Sequence, residues 1–83
     1  MNSSEKRIAT ISIVVRDRNM APLVNEILTK YGEYICGRLG VPFREKGISV
    51  ISIIMEADIS HIGAVSGSLG NIAGVTLRST MLT

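Results

Sequence analysis

The apolar residues of this chain change their spacing along its length, from every second residue to helical spacing and back, twice over. From Arg7 to Val15 the pattern alternates strictly. Ala9, Ile11, Ile13 and Val15 share one side and Ile8, Thr10, Ser12 and Val14 the other, which is a strand. After the charged loop Arg16-Asp17-Arg18-Asn19, the residues Met20, Leu23, Val24, Ile27, Leu28 and Tyr31 recur at helical spacing. Asn19 reads as the N-cap of this helix, with Pro22 at its third position, where a missing N–H costs nothing. Gly32 falls where a left-handed C-terminal cap belongs, and Glu26 is spaced to pair with Lys30 along the helix surface.

The second half repeats the order with an extra strand. Tyr34 to Val41 forms a strand loosened by Gly37 and Gly40, which suits a sheet edge or a bulge. Residues 42–47 turn it back, and Ile48 to Glu56 is the most apolar strand. Its sides are Ile48, Val50, Ser52, Ile54 and Ser49, Ile51, Ile53, Met55. Asp58 caps a second helix with Ile59, Ile62, Val65, Ser66 and Leu69 as its apolar stripe. Gly70 ends that helix, and Val75 to Met81 alternates again. Two right-handed β-α-β crossovers in so short a chain predict an α+β, ferredoxin-like βαββαβ sandwich. It has a four-stranded antiparallel sheet with strands one and three central and both helices on one face.

At 83 residues the chain has room for one domain. We assign residues 1–6 to a flexible, polar start and 7–83 to the domain. By surface scaling a chain of this size hides only about 63% of its unfolded surface on folding. Yet 46% of its residues are hydrophobic and only 19% charged. The sheet face without helices therefore carries Ile and Val, a liability for a lone subunit, and predicts a homo-oligomer, dimer or tetramer. The same composition excludes disorder. No apolar run is long enough to cross a membrane, and a formal net charge of +2 is no nucleic-acid signature. The two central strands contain no aromatic residue on which bases could stack, so direct nucleic-acid binding is not expected. One cysteine and the absence of an apolar signal core fit a reducing cytoplasm.

No catalytic set emerges, and we expect neither an enzyme nor a cofactor. Cys36 reads as a small half-buried side chain and His61 as a solvent-facing residue in the first turn of helix two. They could hold a metal only as a site shared between subunits. Two polar clusters remain. Arg16, Asp17, Arg18 and Asn19 stand at the mouth of helix one, where they are either an anion seat or an ordinary capping loop. Arg38, Arg44 and Lys46, with Phe43, surround the second hairpin as either a contact surface for an acidic partner or a solvated tip. Gly63, Gly67 and Gly70 line one side of helix two. They mark a close approach, either to the protein's own sheet or to another subunit.

Several segments together resemble a known family. Strand one with Val15-Arg16-Asp17-Arg18-Asn19, the helix ending Lys30-Tyr31-Gly32 and Ile72-Ala73-Gly74-Val75 are similar to ACT domains, small-molecule-sensing ferredoxin-like modules. Val24-Asn25-Glu26-Ile27-Leu28, Gly37-Arg38-Leu39-Gly40-Val41-Pro42, Gly47-Ile48-Ser49-Val50-Ile51 and the stretch from Gly63 to Ile72 resemble the stand-alone regulators of the iron-only hydrogenase system. The likeness spans about residues 8–78. It implies an ACT-like fold, a homo-oligomer and a regulatory role near hydrogenase maturation. The effector would sit at the Arg16–Asn19 loop or between subunits, although the usual ACT Pro-Gly is here Asn19-Met20. Two functions follow as expectations: an oligomeric sensor of a small anionic effector, or a protein–protein adaptor docking on a hydrogenase maturation protein without any ligand.

Overall fold

The computed structural model describes residues 5–83. Of the start assigned to residues 1–6, residues 1–4 lie outside the described residues. The elements run β1 (Arg7–Val15), α1 (Ala21–Lys30), β2 (Ile35–Phe43), β3 (Ile48–Ala57), α2 (Ile59–Gly70) and β4 (Val75–Met81). Short 3-10 turns at Arg18–Met20, Gly32–Tyr34 and Arg44–Lys46 join them. The sheet order is β2-β3-β1-β4 and every pair is antiparallel. This is the βαββαβ ferredoxin-like arrangement, with β1 and β3 central.

Alternation alone leaves open which side of each strand turns inward. The structure buries Ala9, Ile11, Ile13 and Val15 of β1 together with Ile51, Ile53, Met55 and Ala57 of β3. Above them lie Val24 and Leu28 from α1 and Ile62, Val65 and Leu69 from α2. Among the described residues no polar or charged residue is buried.

Four local expectations are corrected. Asp17, not Asn19, is the cap: its backbone is extended and its Oδ1 accepts from the Asn19 N–H at 2.9 Å. A 3-10 turn therefore precedes α1, and Pro22 falls in the second helical position. Gly32 is not left-handed. The chain passes from Tyr31 straight into another 3-10 turn, and positive φ is confined to Gly47 and Gly74 among the described residues. Glu26 makes no ion pair with Lys30, whose Nζ instead lies 5.4 Å from the Tyr31 ring centre. Cys36 is exposed because the β2–β3 register shifts between Ile35 and Gly37, leaving it as the extra residue of a bulge on an edge strand.

The glycine stripe of α2 does not pack on the protein's own sheet. A Cβ at Gly63, Gly67 or Gly70 would meet nothing within 4 Å. Gly74 is different: its φ is +77° and a Cβ there would come 3.2 Å from the Asp17 Cβ.

Two substitutions test this packing by urea unfolding. Ile53→Ala, fully buried on a central strand, should cost about 2–5 kcal/mol, a large share of the roughly 4–12 kcal/mol expected for a domain of this length. Gly67→Ala should instead raise stability by about 0.5–1 kcal/mol. A loss at Gly67 would mean that another backbone packs against the stripe.

Candidate functional site

The β1–α1 loop is pinned from behind by the turn that leads into β4. The Arg16 N–H donates to the Gly74 carbonyl at 2.8 Å, and the Asp17 side chain packs against Gly74 so closely that no larger residue fits without a shift. With the loop fixed, its two arginines part. Arg16 turns to the helix-free face of the sheet, where its Nη1 donates to Thr76 Oγ1; it borders an open depression of about 600 Å³ with Ser12, Val14 and Arg78. Arg18 turns the other way and lines a cleft of about 230 Å³ between α1 and the β2–β3 hairpin. Asp17 is spent on capping the turn, and the Asn19 N–H on satisfying Asp17. The four residues expected to form one anion seat therefore face two sides of the protein.

Into the same cleft as Arg18 comes Arg38 from β2. Residues 36–38 reverse the expected alternation. After the bulge at Cys36, Arg38 pairs with Ile53, Gly40 with Ile51 and Pro42 with Ser49. That puts Arg38 on the helix side of the sheet, where its Nη2 donates to Asn25 Oδ1 of α1 at 3.2 Å. Val15, Ala21, Pro42 and Ile51 supply apolar wall, and Asn25 and Ser49 the remaining polar groups. Neither Arg18 nor Arg38 has a carboxylate within 4 Å among the described residues. Sequence reasoning missed Asn25 and Ser49 and assigned Arg38 to the hairpin cluster.

Of that cluster, Arg44 and Lys46 remain together on the 3-10 turn beyond β2, closed by left-handed Gly47. Phe43 ends β2 and is 42% exposed. Across the helix-free face the register sets Leu39, Ser52, Ser12 and Arg78 in one row and Val41, Val50, Val14 and Thr76 in the next. The face is apolar toward β2 and polar toward β4.

His61 is more engaged than a simple solvent-facing residue. Asp58 Oδ1 accepts from the His61 backbone N–H at 2.8 Å and lies 2.7 Å from its Nδ1, while the imidazole and the Tyr34 ring sit 4.5 Å apart. The backbone hydrogen bond from His61, then the one from its ring, hold the Asp58 carboxyl below its ordinary value. Desolvation, with Glu33 second, raises the Tyr34 phenol. The described residues contain no group of three His, Cys, Asp or Glu placed to hold a metal. They also contain no helix long and apolar enough to cross a membrane.

A family model described as "Iron-only hydrogenase system regulator, putative", of the TM1266-like type, matches residues 7–79. The solved structure of uncharacterized protein TM1266 from Thermotoga maritima is 41% identical, with a TM-score of 0.91. The match covers 95% of this chain and all of that one. No protein of curated function matches.

The Asp58 cap sets a pH dependence. A carboxyl whose folded pKa is depressed stabilises the fold above its unfolded pKa, and that contribution is lost as pH falls through the folded value. We expect the melting temperature to fall on acidification below the ordinary carboxylate range. Asp58→Asn, which keeps a capping oxygen but not the charge, should flatten that part of the profile. An unchanged profile in Asp58→Asn would remove the carboxylate from this role.

Proposed function

The chain belongs to the TM1266-like family of iron-only hydrogenase system regulators, and from that premise we propose that it is a non-enzymatic, ACT-like sensor, acting as a homo-oligomer on a small anionic effector. The observation that carries this reading is the convergence of Arg18 and Arg38 on one cleft with no carboxylate to neutralise them. Two guanidinium groups from distant parts of the chain border one cleft, and their planar forks suit a carboxylate or phosphate. The loop foreseen as the anion seat contributes Arg18; Arg16 serves the opposite face.

The helix-free face supports association. Ile54 is 48% exposed, Leu39 65% and Val41 39%, forming apolar surface that a second copy would cover. A reducing cytoplasm suits the exposed thiol of Cys36.

Light-scattering mass measured during gel filtration should give two or four times the 8.9 kDa of one chain. In a thermal-shift panel of small anions an effector should raise stability by about 2.7 kcal/mol at a hundredfold excess over Kd. The response should vanish in Arg18→Ala and persist in Arg16→Ala. A monomer that responds to no anion would count against both halves of the proposal.

A second reading has its own observation. β2 is an unpaired edge with exposed Leu39 and Phe43 and with Arg44 and Lys46 at its tip, which suits docking on an acidic face of a hydrogenase maturation protein. Capture of such a protein by the wild type but not by Arg44→Glu would favour this adaptor role. Equal capture by both would remove the hairpin tip from it.

A further inference from the structure

Resting on the sensor reading, we infer that the effector of the Arg18–Arg38 cleft is a short organic acid with an apolar body that carries no amino group. Three features of the cleft lead there. Arg18 and Arg38 both line it, with Arg38 steadied by Asn25 Oδ1 at 3.2 Å, so it takes a carboxylate. Its lining is otherwise mainly aliphatic, with Ala21 and Pro42 at the surface and Val15 and Ile51 behind them, so the remainder of the ligand is apolar; a bare phosphate would leave that surface uncovered. Its size is limited. A cleft of about 230 Å³ falls below the roughly 300–1,000 Å³ of pockets that take drug-sized ligands, so the acid is short.

The exclusion of an amino group follows from what is missing among the lining residues. None of them is Asp or Glu. The nearest acidic residue along the chain to Arg18, Asp17, caps the turn and is not among the lining residues. An α-ammonium entering with its carboxylate would meet two cations and no acidic side chain among the lining residues. A 2-oxo or unsubstituted acid of the same skeleton carries no such charge. The cleft thus discriminates by repulsion as well as by fit.

Isothermal titration of the full chain with four probes tests this. The probes are 4-methyl-2-oxopentanoate, 3-methylbutanoate, L-leucine and inorganic phosphate. We expect at least one of the two branched acids to bind, with leucine and phosphate at least tenfold weaker. The affinity should fall at least tenfold in Arg18→Gln and in Arg38→Gln and hold in Arg16→Gln, with unchanged circular dichroism in all three. Leucine or phosphate binding as tightly as the branched acids, with the same arginine dependence, would overturn the ligand class and leave the anion sensor standing. Branched-acid binding indifferent to both Arg18→Gln and Arg38→Gln would overturn the site. If none of the four binds the wild type, the ligand class and the anion-sensing proposal fall together.

Discussion

The register of β1 against β3 is the constraint on which the rest of the molecule depends. Arg7 stands opposite Ala57 and Val15 opposite Ser49, so Ala9, Ile11 and Ile13 meet Met55, Ile53 and Ile51 on one side of the sheet. A slip of one residue would turn these side chains to the open face and expose most of the core. The two helices cover this aliphatic strip with Val24, Leu28, Ile62, Val65 and Leu69. The cover does not reach the edge. β2 is exposed along all but its first residue, and the space between α1 and β2 is the cleft. The site is thus what two short helices leave open over a four-stranded sheet.

Strand and helix order was legible because each period persists for a full element. β1 spans Arg7–Val15 as alternation requires, and Asp58 caps α2 as its position requires. The misjudged details are those where several local solutions have similar energies. Asp17 and Asn19 are both good caps, and the 3-10 turn that selects Asp17 leaves no mark in the apolar pattern. Gly32 could have been left-handed, but a glycine tolerates right-handed backbone equally well. Glu26 and Lys30 have the right spacing for a pair worth only a few tenths of a kcal/mol, too little to fix two exposed side chains.

The candidate site was half legible, and the reason lies in one residue. Without a bulge, strict alternation from Ile35 would send Arg38 to the helix-free face. The extra residue at Cys36 inverts the remainder of β2 and brings Arg38 to Arg18. Gly37 and Gly40 hinted at a bulge or an edge, yet no sequence pattern says where the extra residue falls. The loop poses the complementary problem. Arg16 and Arg18 are two positions apart and looked like one cluster. The hydrogen bond from Arg16 to Gly74 and the contact of Asp17 with that glycine turn them to opposite faces. One pinned loop therefore borders both the cleft and the face proposed for self-association.

An amide-resolved titration, in which ¹⁵N–¹H correlation spectra follow the addition of 4-methyl-2-oxopentanoate, tests the central claim most directly. The cleft predicts a single saturating process that moves Arg18, Val24, Arg38, Val41 and Ser49 together, with little change at Ser12 and Arg78. Shifts confined to Ser12, Thr76 and Arg78 on the helix-free face, or none at all, would contradict it.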